Sequence, residues 1–262
     1  MESGSPTAPP PGEPPLPPLS APPPASPWGF WTTLGFSCLI AVGLVGTQTA
    51  TVLLFIAARE GSTASWSPGN LGSEGVVLSV GTLVSLPVVA GLCALFAWLR
   101  RGIKVRDYLA WNAIPPSEVS RWFIRLLCLL VASDALTTLL GKPIVDDSMI
   151  QAYRTAGSLP LLWAAVIIAA PVSEELLFRG FIFRGLAASP LGGLGATLFT
   201  SVVWAGIHLQ YDWYGKATIL VTGLLLGWAR LRTNSVLTTI LMHAVMNLFA
   251  TIQVAAQLAW FS

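Results

Sequence analysis

The sequence predicts an all-α, polytopic transmembrane helix bundle of seven to eight spans. Only 10% of the 262 residues are charged and 54% are hydrophobic, against about 25% charged in an ordinary soluble domain. The mean hydropathy is +0.70. Apolar segments of the length needed to cross a bilayer, about 20 residues, recur along most of the chain. No ten-residue alternating pattern of the β-barrel kind is present.

Seven segments read as spans: 30–58, 75–99, 121–141, 159–183, 191–210, 216–231 and 235–258. An eighth helix is expected to hide in 104–119 or 142–157, lying at the interface or crossing. Trp28, Trp31, Trp98, Trp122 and Trp260 fall near span ends, where aromatic belts form. The domain layout is a tail over 1–28 and a transmembrane domain over 29–262. The tail holds 12 of the 20 prolines and no Lys or Arg. It lacks the basic region of a secretory signal and cannot bury enough apolar surface to fold. It reads as an extended cytoplasmic tail, with a PxxP-type binding partner as the alternative.

Basic residues orient the chain. Arg100, Arg101, Lys104, Arg106, Arg121, Arg125, Arg179, Arg184, Arg230 and Arg232 gather on one side, leaving Arg59, Lys142, Arg154 and Lys216 on the other. That bias places the N-terminus in the cytoplasm and the C-terminus outside. The expected location is multi-pass in a plasma (inner) membrane. A net charge of +2 without a basic, aromatic-interleaved run excludes nucleic acid as a partner. Cys38, Cys93 and Cys128 have no CxxC spacing and read as small buried hydrophobes.

Ionisable groups inside apolar segments are costly and mark function. Both histidines of the chain and its only adjacent glutamate pair lie in the C-terminal half. Glu175 and Arg179 are four apart and can pair on a helix. Glu174 points about 100° away, so the two acids have different surroundings. Pro171 removes a backbone donor just before them, and freed carbonyls favour a polar pocket. Thr197, Ser201, Trp204 and His208 share one helix face, as do Thr239, His243, Asn247 and Thr251. Each feature alone also reads as structure: a His or Asn as interhelical glue, Glu175–Arg179 as a plain ion pair. Asp134 has no evident partner and reads as site support or interhelical bonding. Gly223 and Gly227 form GxxxG, a close-packing signal. Gly192, Gly193 and Gly195 beside Pro190 mark a turn that follows no strand, so no phosphate loop is implied.

Glu174-Glu175-x-x-x-Arg179, then Trp204-x-x-x-His208, then His243-x-x-x-Asn247 resembles the CPBP family. This family holds the type II CAAX prenyl endopeptidases and the lysostaphin-resistance-like membrane proteases. The resemblance covers about 159–250. Trp204 stands where the family usually has Phe, and its fold has about eight helices. It implies that Glu174 activates water with His208 as partner. His243 and Asn247 would stabilise the oxyanion, with Glu175 and Arg179 in support. It thus implies a CAAX-protease-like fold hydrolysing a peptide bond of a membrane-associated, prenylated or other, protein or peptide. The candidate catalytic residues are Glu174, Glu175, His208, His243 and Asn247, and Arg179 is the supporting one. If a divalent metal such as zinc is bound, Glu174, His208 and His243 are its ligands. Two other readings use the same residues differently: a proton- or ion-coupled transporter, and a catalytically silent scaffold binding through the tail.

One conflict follows from the boundaries. His208 lies roughly 25 Å along its span and His243 roughly 12 Å along a parallel one, at 1.5 Å per residue. They meet only if one helix starts deeper or is tilted.

Overall fold

The computed structural model describes residues 25–59 and 74–260, so residues 1–24 of the expected tail lie outside the described residues. Every regular element among those described is helical. In chain order they are α1 (Phe30–Arg59), α2 (Gly75–Trp98), α3 (Val105–Tyr108), α4 (Pro116–Leu139) and α5 (Asp147–Thr155). α6 (Leu159–Ala187), α7 (Gly192–Ile207), α8 (Trp213–Thr233) and α9 (Val236–Trp260) follow. All seven expected spans are helices. Five of them, α1, α2, α4, α6 and α9, are long and apolar enough to cross a membrane.

The other two differ from expectation. α7 has 16 residues, about 24 Å at the helical rise, which is short of a hydrocarbon core of about 30 Å. α8 has 21 residues but carries Lys216, Arg230 and Arg232. No eighth span occurs among the described residues. The stretch 104–119 contributes only four-residue α3 before α4 begins, and 142–157 only nine-residue α5.

The packing follows side-chain size. α7 and α8 meet along most of their length, as do α1 and α2. Glycines set the α7–α8 distance. A Cβ on Gly227 would sit 2.7 Å from Thr197 Cγ2, and one on Gly223 3.1 Å from Trp204 Cε3. The GxxxG therefore receives the polar face of α7. The turn expected at Gly192 is there, with φ at +62°.

Several expectations are corrected by the packing. Trp31, Trp98 and Trp260 project outward, but Trp28 and Trp122 turn inward. Trp28 Nε1 donates to Phe96 O at 2.8 Å. Trp122 packs edge-on against Trp228, with Arg125 over both rings. Of the cysteines only Cys93 is buried; Cys38 and Cys128 lie on outer faces. Arg179 and Arg230, counted among the orienting charges, are buried in the bundle. The orienting charge bias rests on the eight remaining basic residues of that side against four. Asp134 has a partner after all, Gln253 Nε2 on α9, at 2.6 Å.

The start of α9 is held by contacts with the segment after α3. Val236 N donates to Ala110 O at 2.8 Å, Ser235 Oγ donates to Asn112 O, and Asn112 Nδ2 donates to Asn234 O at 3.0 Å. Ser235 and Val236 are wholly buried beneath the segment after α3, whereas Leu191 and Leu194 before and within the first turn of α7 are exposed. Thus α9 begins inside the bundle and α7 at its edge, which lets position 243 meet position 204. Ala110 adopts φ +53° to make this junction, a region that disfavours a residue with a Cβ.

Candidate active site

The site is organised by α6, which is not a plain α-helix. Two π turns, Ala164–Ala169 and Leu176–Ile182, bracket a short α segment, Ala170–Glu175, that carries both carboxylates. Such turns widen the helix and leave carbonyls unpaired, and they concentrate at functional sites. Pro171 sits in the first turn of the α segment, where its missing N–H coincides with the register change.

Glu175 is completely buried. Its Oε1 accepts from Arg179 Nη1 and from His243 Nδ1, each at 3.0 Å. Arg179, also completely buried, donates from Nη2 to Gly223 O at 3.1 Å and lies 4.7 Å from the Trp204 ring centroid. The mutual attraction of Glu175 and Arg179 offsets part of the cost of burying both charges, although Glu175 Oε2 and Arg179 Nε are buried without a hydrogen-bond partner among the described residues. The expected Glu175–Arg179 pair is therefore present, extended by one histidine and one backbone carbonyl.

Glu174 is half-buried and held differently. Trp204 Nε1 donates to its Oε2 at 2.5 Å. No hydrogen bond to its Oε1 occurs among the described residues, which leaves that oxygen open. The Trp204 indole stands between the two imidazoles, 5.3 Å from the His208 ring and 5.2 Å from the His243 ring, edge-on to both. An indole, unlike the Phe usual at this place, carries an N–H and so ties the carboxylate down.

His243 must donate from Nδ1, since Glu175 is an acceptor, so its Nε2 becomes a donor only when the ring takes a second proton. His208 follows the last residue of α7, and its Nδ1 donates to Trp204 O of its own helix at 2.7 Å. No hydrogen bond joins His208 to Glu174 or His243 among the described residues. Asn247 Nδ2 donates to Val166 O in the first π turn at 2.8 Å. The structure thus brings Glu174, Glu175, Arg179 and His243 together around Trp204, places His208 one ring away, and engages Asn247 with backbone. The Glu174, His208 and His243 side chains do not fit a zinc site. No group of three or more His, Cys, Asp or Glu able to hold a metal occurs among the described residues, and the indole separates the two imidazoles.

Sequence reasoning missed the contacts of three contributors. The sequence places Trp204 on the polar face of its helix and marks its difference from Phe, but does not show its bond to Glu174. Arg230 counts among the orienting charges at the end of span 216–231, but its Nε donates to Arg179 O at 2.7 Å in the second π turn. Tyr211 lies in the turn after α7, its ring 6.2 Å from that of His208. Burial, with Asp146 and Glu174 nearby, pushes its phenol up to about 12, so it stays a donor. A tyrosine three residues beyond His208 was the available signal.

Residues 156–249 match the family described as type II CAAX prenyl endopeptidase Rce1-like. This segment is similar to that family over about a third of the chain. It contains every candidate catalytic residue and coincides closely with the stretch 159–250 that carries the resemblance. The chain is also similar to the UPF0177 protein YxdF of Lactococcus lactis subsp. lactis (strain IL1403). The two are 27% identical over 137 residues, covering 49% of this chain and 73% of that protein. No solved structure matches. The matched segment begins at the α5–α6 junction and ends within α9, so α1, α2 and α4 lie outside it.

Proposed function

We propose that the chain is an intramembrane endopeptidase in which Glu174 is the general base. The observation that carries this reading is the unlike treatment of two adjacent carboxylates. Glu175 is spent on Arg179 and His243, while Glu174 is held through one oxygen only, half-buried, at the mouth of that network. A base needs one free oxygen and a fixed orientation, and the Trp204 bond supplies the second without consuming the first.

In the proposed reaction Glu174 Oε1 takes a proton from a water whose oxygen attacks the scissile carbonyl carbon. The carbonyl oxygen becomes an oxyanion, and His243 Nε2, when the ring is doubly protonated, donates to it while Nδ1 remains on Glu175. Collapse breaks the C–N bond, and Glu174 returns its proton to the amine. His208 and Tyr211 line the approach beside Trp204. No step is routed through a metal.

The family description supports a membrane-associated substrate, with a prenylated CAAX-type C-terminus as the first to test. We also propose the cytoplasmic side for the N-terminus, on the remaining eight-to-four bias of basic residues. The decisive comparison is wild type against Glu174→Gln in nanodiscs with a farnesylated CAAX-type fluorogenic peptide. Gln keeps an acceptor for Trp204 Nε1 but cannot take a proton. Cleavage should fall by roughly 10²–10⁴-fold, the usual contribution of a positioned base, with folding unchanged. Undiminished cleavage by this variant would remove the reading.

A further inference from the structure

The hydrogen bonds of the first π turn of α6 do not close on themselves. Ala170 N donates to Ala165 O, the five-residue register of that turn. The same register assigns Val166 O to the N–H of residue 171, and Pro171 has none. Val166 O therefore loses its donor inside the helix. Asn247 supplies one from α9, Nδ2 to O at 2.8 Å. A carbonyl away from water must find a partner somewhere, and here the partner comes from a residue one helical turn beyond His243 on the same face of α9.

The consequence falls on Glu174, which is three residues after Pro171 on the same short α segment. The direction of its carboxylate depends on how far the π turn has rotated that segment. Asn247 grips the turn on one side. Arg230 grips the second π turn on the other, through Arg179 O. Between these two grips lie both acids.

We infer that Pro171, the Val166 carbonyl and Asn247 form a latch in which Asn247 is a positioning residue that sets the orientation of Glu174 through the α6 backbone, and that Asn247 is required because Pro171 withholds an N–H. This inference rests on Glu174 being the base. It departs from the oxyanion role that the family resemblance implies for Asn247, because one of its two amide N–H groups is committed to Val166 O.

The latch makes a rescue prediction that an oxyanion donor does not. Replacing Pro171 by Ala restores the missing N–H, so Val166 O no longer needs Asn247. The test uses the full chain in nanodiscs with four proteins: wild type, Pro171→Ala, Asn247→Ala and the double variant. Two readouts are taken, the thermal midpoint and kcat and KM separately on the farnesylated peptide. Asn247→Ala should lower kcat by roughly 10²-fold, the loss that a displacement near 1 Å produces, and lower the midpoint by about 2–6 °C. Pro171→Ala alone should change little. The double variant should regain most of the midpoint and roughly tenfold in kcat, a partial reversal of the same displacement. Failure to recover the midpoint overturns the latch. Recovery of the midpoint without kcat overturns the positioning role and returns Asn247 to the oxyanion. The midpoint comparison decides the latch whether or not the peptide is cut, and cleavage undiminished in Glu174→Gln separately removes the protease reading.

Discussion

α4 and α6 are both apolar spans, yet half of the spanning window of α6 is buried inside the protein and only 17% of that of α4. α6 packs against α1, α2, α7 and α9, which enclose Glu175 and Arg179 completely. α4 packs mainly on α8 and α9 and turns Ile124, Leu127 and Val131 outward. Its polar groups are clasps at the edge: Asp134 to Gln253, Thr137 to Tyr214, and Lys142, just beyond its end, to Asp212. Charge inside an apolar segment is enclosed where the segment is central, as Glu175 and Arg179 are. At the periphery the same residue types only fasten helices.

This contrast can be broken from its strong side first. Removing one partner of the buried pair, as in Arg179→Leu, leaves the buried Glu175 with His243 alone as an ion-pair partner and should cost about 3–5 kcal/mol. Loss of the folded protein in detergent, or a large drop in thermal midpoint, would register it. The paired change Glu175→Leu with Arg179→Leu should be milder than either alone, because no lone charge remains. Next comes Gly227→Val, which drives a side chain into Thr197 across the α7–α8 contact and should cost about 1–3 kcal/mol by overpacking. A midpoint equal to wild type would show that the two helices are not held at this distance.

The α4 side should respond less. Gln253→Ala removes one interhelical hydrogen bond and should cost about 1 kcal/mol, read as a small shift in midpoint with cleavage retained. The Lys142–Asp212 pair should matter least, since both side chains face water. The Gly215 N–H and Lys142 lower the Asp212 carboxyl below the ordinary aspartate value. Any stability it lends is present above the unfolded aspartate value and fades as pH falls through the lowered folded one. Lys142→Ala should leave the midpoint at neutral pH unchanged, and a clear loss there would make α4 more than an edge helix.

Much of the site was legible because an α-helix converts sequence spacing directly into direction. Glu175 and Arg179 four apart, and the stripe Thr239, His243, Asn247 and Thr251, needed no tertiary knowledge. The buried side of that stripe faces protein as expected, with Thr239, His243 and Thr251 all buried. What stayed hidden depends on the relation between helices. Trp204 reaching Glu174, Gln253 reaching Asp134 and Arg230 reaching Arg179 O join positions from 30 to 119 residues apart. The burial of the α9 start, from which His243 reaches Trp204, depends on Ala110 and Asn112, far from any motif.

By itself the sequence determined an all-helical membrane chain, the order of its spans and the faces that carry polar groups, because hydropathy and the 3.6-residue period are local properties. The tertiary structure alone decided which carboxylate is enclosed and which is open, where α6 leaves the α register, and which side chains answer the carbonyls it frees. Those outcomes follow from the relative depth and rotation of packed helices, and no local period encodes either one.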